Sequence, residues 1–253
     1  MSTLHLHDRL QDFIASTTHP LIVVLGPTAS GKTSFSIELA ANIPGAEIIN
    51  ADSRQLYRHL DIGTAKITKE EMRGIPHHLL DVLDPKEEAT AAWYKNQAKR
   101  IIDEIHSRKH VPVLVGGSML YISAVTDDLK FPTERDLRQS LQIRKEMKPR
   151  DDLFIIGIDR PRDQVMERIN QRTKELFDRG WVEEVRGLLA MGCTADDPAM
   201  KSHGYREIMD FLQTGKPSLP ELQENISANS RQYAKRQITW WRNDSRIQWI
   251  TPT

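Results

Sequence analysis

The stretch Leu21-Ile-Val-Val-Leu-Gly-Pro-Thr-Ala-Ser-Gly-Lys-Thr33 decides the fold. Leu21–Leu25 is a short apolar run rich in branched side chains, closed by the turn residues Gly26 and Pro27, and reads as a buried parallel strand. Gly26–Thr33 satisfies G-x-x-x-x-G-K-[ST] directly after that strand, and the apolar spacing of Phe35, Ile37, Leu39 and Ala40 predicts a helix over Thr33–Asn42, before Pro44. Glycines let such a loop curl until several N–H groups point inward, and the helix N-terminus adds its positive end. Gly26, Pro27, Thr28, Ala29, Ser30, Gly31, Lys32 and Thr33 are therefore read as a phosphate cradle, with Lys32 neutralising phosphate oxygens and Thr33 offering its hydroxyl to Mg²⁺. The motif specifies a diphosphate or triphosphate and leaves open whether a nucleotide carries it.

Outward from the loop the same rhythm recurs. Glu47–Asn50, Val111–Val115 and Leu153–Ile158 read as strands, and Ala89–Ser107 as a long helix. Strands separated by helical segments predict an α/β fold of the P-loop NTPase type, a parallel sheet covered by helices. Residues 1–20 read as an N-terminal extension, 21–253 as one domain, and 161–243 as mostly helical with breaks at Gly180, Gly192, Gly215–Pro217 and Asn243. Arg246–Ile250 is expected to return as a strand, and the polar segment 131–150 to form a small helical excursion.

Lys plus Arg equals Asp plus Glu at 35 each, so attraction to a polyanion has to come from a local basic patch. The one cysteine, Cys193, excludes internal disulfides and points to a reducing, cytoplasmic compartment. The N-terminus lacks the basic start and apolar run of a signal peptide, and no stretch is apolar enough to span a membrane. A monomer is expected.

The second strand ends in Asn50-Ala51-Asp52-Ser53, which places Asp52 at the carboxyl edge of the sheet, where open α/β sheets bind ligands. From here the chain resembles a known family: GPTASGKT (26–33), ADSRQLYRHLDIGTAK (51–66), GIPHHLLDVLDP (74–85), VLVGGSMLYI (113–122) and RQYAKRQITWWRN (231–243) are similar to blocks of the tRNA isopentenyltransferases. The resemblance implies dimethylallyl diphosphate on the phosphate loop and an adenine of the tRNA anticodon stem-loop entering from the opposite mouth of a channel. Asp52 would then be the general base toward N6, with Ser53, Arg54, Gln55 and Ser118 beside it. An arginine in the helix after the later strand would face the leaving diphosphate; Arg168 is favoured, with Arg172 one turn away.

Chemistry asks for the same groups. A carboxylate accepting the proton of a poor amine nucleophile contributes ~10² to 10⁴ in rate. Departing diphosphate needs cations aimed at its oxygens.

Two departures from the family stand out. Most of a helical insertion is missing between the GGSMLYI block and the later strand, which leaves a reduced insertion in which Arg138 is the residue that best matches an RNA contact. Met119 replaces the usual glycine. Arg231, Lys235, Arg236, Arg242 and Arg246, interleaved with Tyr233, Trp240 and Trp241, are read as a replacement RNA surface. Two other activities compete: a P-loop kinase of a small metabolite, with Asp159 organising Mg²⁺, and prenylation of a free adenine nucleotide.

Overall fold

The computed structural model describes residues 3–129 and 150–251. Arg138 and most of the 131–150 segment lie outside them. The elements, in chain order, are α1 (Thr3–Ser16), β1 (Leu21–Leu25), α2 (Lys32–Ala41), β2 (Ala46–Asn50), β3 (His77–His78), α3 (Ala91–Ser107), β4 (Val111–Gly116), α4 (Met119–Thr126), β5 (Leu153–Ile158), α5 (Arg162–Asp178), α6 (Trp181–Ala190), α7 (Tyr205–Thr214), α8 (Leu219–Trp241) and β6 (Ile247–Ile250). The strands form one sheet in the order β3-β2-β4-β1-β5-β6, and every pairing is parallel.

Central strand β1 explains why its sequence is a continuous apolar run. Leu21, Val23 and Leu25 enter the core on one face with Leu114 and Ile155, while Ile22 and Val24 enter the other with Val113, Phe154 and Ile156. Both faces are covered, so neither parity can be polar. The first face packs against α3, α4 and the C-terminal helices through Tyr94, Ile105, Val185, Ile208 and Trp241. The second is covered by α1 and α2, through Leu6, Leu10, Ile37 and Ala40.

Residues before Leu21, read as an extension, thus form a helix whose Leu10 is fully buried. Thr90 caps α3 by accepting from the Trp93 N–H (3.1 Å). Gly180, Gly192 and Gly215 adopt left-handed φ at helix junctions, where the sequence places breaks. The two-residue strand β3, paired through Ile48 to His77, was not legible; so short a strand carries no periodicity.

The carboxyl ends of β1, β2, β4 and β5 open on one edge of the sheet. They carry, respectively, the phosphate loop, Asp52, Ser118 and Arg160.

Candidate active site

The phosphate loop is held from outside by its carbonyls. Arg160 donates through Nε to the Ser30 carbonyl (2.8 Å), and Arg168 through Nε to the Ala29 carbonyl (2.9 Å). With these carbonyls turned to arginines, loop amides other than those of Thr28 and Ser30, which are bonded within the protein, are left to face an anion. Gly31 joins loop to helix at φ 94, a left-handed conformation that glycine adopts without strain. Lys32 folds back, its Nζ donating to the Pro27 carbonyl (2.7 Å). Burial pushes the Lys32 ammonium down to about 8, against the opposing pull of the Asp52 carboxylate, and Arg172 pushes it further the same way.

Asp52 stands on a loop fixed from three sides. Asn50 Oδ1 accepts the Asp52 N–H (3.0 Å), while Asn50 Nδ2 donates to the Asp52 and Leu79 carbonyls. Ser118 Oγ accepts the Ser53 N–H (2.8 Å), so this serine ties the β4 loop to the β2 loop. It makes no side-chain cap on α4. The Asp52 carboxylate accepts the Arg54 N–H through Oδ1 (2.9 Å), the turn-capping bond that aspartate favours. That bond fixes the carboxylate's orientation without removing it from the cavity.

Three cavities run past these residues. An open cleft of about 540 Å³ is lined by Lys32, Thr33, Arg168 and Arg172. An inner chamber of about 120 Å³ is lined by Thr28, Lys32, Thr33, Asp52, Arg172 and Gln237. A third, of about 190 Å³, is lined by Thr28, Asp52, Arg54, Arg172, His203 and Tyr233. Lys32 and Thr33 are common to the first two and Asp52 to the last two, so the three cavities adjoin one another from the phosphate loop to the far side of Asp52. Arg172 lines all three.

Its guanidinium donates to the Thr64 carbonyl (3.1 Å), which also accepts from Gln55 Nε2 (3.2 Å). Burial pushes Arg172 downward, opposed by Asp52 and Glu175. Lys32 feels the positive charge of Arg172, and both line the outer cleft and the inner chamber, an arrangement suited to an anion.

A family model described as IPP transferase matches residues 55–151 and 141–244. The tRNA dimethylallyltransferase of Macrococcus caseolyticus is 36% identical over 284 positions, covering 91% of this chain and 90% of the relative. This chain belongs to the IPP transferase family. The corresponding enzyme of Thermomicrobium roseum is 35% identical over 287 positions, with 92% and 87% covered. Among solved structures, the tRNA isopentenylpyrophosphate transferase of Bacillus halodurans superposes with a TM-score of 0.81 at 34% identity, over 92% of this chain and 90% of that one. A eukaryotic dimethylallyltransferase acting on tRNA shares the fold, with a TM-score of 0.72 at 23% identity over 88% of this chain and 69% of that one.

Both alignments are longer than the 253 residues of this IPP transferase, so its relatives hold positions with no counterpart here. The two pieces of the family match overlap at residues 141–151, at the C-terminal end of the reduced insertion.

Within the IPP transferase site, the structure brings together Thr28, Lys32, Thr33, Asp52, Ser53, Arg54, Gln55, Ser118 and Arg172. Arg168 lines the outer cleft with its Nε on a loop carbonyl, whereas Arg172 lines all three cavities and feels the Asp52 carboxylate. The C-terminal basic residues do not form one patch. Arg246 is tied to Asp127 (2.8 Å) and Asp244 (2.6 Å), Arg231 to Asn170 and Glu224, and Trp241 is fully buried. Lys235, Arg236 and Arg242 remain exposed, Arg236 over the Tyr233 ring at 5.7 Å. Asp159 is exposed and lines none of the three cavities.

Sequence reasoning missed Arg160, Gln237 and His203. Arg160 follows a strand at the carboxyl edge, which is a usable signal. Gln237 lies one helical turn after Tyr233 in a quoted block, but nothing in the residue string says that it is buried.

Proposed function

We propose that the chain transfers the dimethylallyl group of dimethylallyl diphosphate to N6 of a tRNA adenine next to the anticodon, releasing diphosphate. The single observation that carries this reading is the series of adjoining cavities from the phosphate loop to the far side of Asp52. A donor can enter at one mouth and an acceptor at the other.

In this reading the diphosphate lies against the loop amides, Lys32 and Arg172, with the allylic carbon toward the inner chamber. Adenine N6 attacks that carbon as its bond to oxygen breaks. The leaving diphosphate takes the bonding electrons, and the N6 proton passes to Asp52. Protonated Lys32 and Arg172 hold the charge that builds on the leaving oxygens. Tyr233 stays neutral beside the acceptor; burial, and then the Asp52 carboxylate, push its phenol up to about 12.

Thr33 suits Mg²⁺, a hard cation that takes most of its ligands from water and substrate phosphate and asks little of the protein. Such an ion would neutralise diphosphate oxygens. The single cysteine supports a cytoplasmic setting, and no helix among the described residues is long and apolar enough to cross a membrane.

The test is incubation with Mg²⁺, dimethylallyl diphosphate and either unmodified tRNA or AMP, with mass spectrometry of the nucleosides. Prenylated adenosine in tRNA is expected. Prenylated AMP in preference to tRNA would reassign the acceptor, and no prenylation of either would overturn the reaction.

A further inference from the structure

Gln237 is 1% exposed, and both ends of its amide are used. Oε1 accepts the N–H of Thr28 in the phosphate loop (2.8 Å), and Nε2 donates to the Gly117 carbonyl (2.7 Å). A long-range bond to a phosphate-loop amide is unusual, because such amides are ordinarily left for the ligand. Gly117 has to be glycine for this contact: a Cβ there would lie 2.5 Å from Gln237 Nε2. Tyr233, one turn earlier on α8, donates its hydroxyl to the same Gly117 carbonyl (3.2 Å). The next residue, Ser118, holds the Ser53 N–H of the Asp52 loop.

A chain of contacts therefore runs Thr28, Gln237, Gly117, Ser118, Ser53. Its two ends are the donor loop and the loop of Asp52, and Thr28 and Asp52 line the same two chambers.

We infer that Gln237 is a positioning residue, a bracket from helix α8 that sets the span between Thr28 of the phosphate loop and the Asp52 loop. The inference rests on reading these loops as donor and acceptor sides. Its physical basis is steep: a misplacement of about 1 Å between reacting groups can cost ~10² in rate. Because Gln237 touches no reacting atom, its loss acts on the geometry of attack rather than on the grip on diphosphate. Phosphate contacts of Lys32, Arg172 and the other loop amides are untouched.

Two substitutions test this. Gln237→Met keeps the volume and removes both bonds, and kcat for tRNA prenylation is expected to fall at least ~10-fold while donor Kd, by calorimetry, stays within about threefold. Gln237→Glu keeps the acceptor for Thr28 but sets a carboxylate against the Gly117 carbonyl. Protonation restores the donor, so the ratio of variant to wild-type kcat is expected to rise as pH falls from 8 to 6, burial having raised the carboxyl's pKa. A merely structural role would not produce that recovery.

Met-variant kcat within threefold of wild type, in protein that melts normally, overturns the inference. So does a Glu-to-wild-type ratio that is flat with pH, and this second arm decides the matter if the Met variant fails to fold. A fault in the site reading shows elsewhere, as unchanged donor affinity in Lys32→Ala.

Discussion

Lys32 is partly buried and feels both the Asp52 carboxylate and the Arg172 guanidinium, and desolvation pushes its ammonium down to about 8. In the free protein it therefore loses its proton above pH 8, and a bound diphosphate, which favours the charged form, has to restore it. Donor affinity is expected to be level from pH 6.5 to 7.5 and to fall by up to about tenfold per pH unit above 8. Calorimetry in buffers of different ionisation enthalpy should record proton uptake on binding at pH 9. Affinity unchanged between pH 7 and 9.5 would contradict the placement of Lys32. At Asp52, the nearly isosteric Asp52→Asn cannot accept a proton at neutral pH, so kcat should drop by at least ~10² with donor affinity nearly intact. Arg172 and Arg168 should part company in the same assay. Arg172→Ala is expected to cost on the order of 10² in kcat/KM, against less than about tenfold for Arg168→Ala, whose side chain lies on the outer cleft.

Helix α1 shows what an element contributes that no motif marks. Leu6 and Leu10, one turn apart, close the core against β1 and α2 on the second face of the sheet. Leu10 is fully buried, so Leu10→Ala leaves a cavity that a single small helix can only partly fill by moving. A loss of about 2 to 4 kcal/mol is expected in urea denaturation at pH 7. A change below about 0.5 kcal/mol, the range of ordinary surface substitutions, would mean that α1 does not hold its place on the sheet. Catalysis at saturating substrate should change little, because α1 covers the face and the site lies on the carboxyl edge.

At the scale of the molecule, zero net charge leaves RNA binding to local cations, and the tertiary structure thins the C-terminal candidates. Arg246 and Arg231 are held by acids and amides of their own fold, while Lys235 and Arg236 stand exposed on α8, Arg236 over the ring of Tyr233. Replacing both with alanine should flatten the slope of log tRNA affinity against log salt by about 1.5 and leave donor binding unchanged. An unaltered slope would reduce them to a solvated helix face.

The division between what the string of residues specifies and what folding adds follows the range of the interactions. The phosphate loop is legible because its chemistry is local: glycines, a lysine and a threonine at set spacing between an apolar strand and a helix act through adjacent backbone. The parallel sheet is legible for a similar reason, since burial on both faces leaves β1, β4 and β5 without polar alternation. Asp52 could be placed at the ligand edge once its strand was recognised, and the family's blocks were readable in order. Choosing between Arg168 and Arg172 was beyond the sequence. Both lie on one helix face, and only the tertiary placement of α5 shows that Arg172 lines all three cavities while Arg168 lines the outer cleft alone. Basic residues near the C-terminus look alike in sequence until Asp127 and Asp244 claim Arg246. Gln237 is the extreme case: its partners Thr28 and Gly117 are distant in the chain, and a buried amide that satisfies two backbone groups exists only where the tertiary fold brings them together.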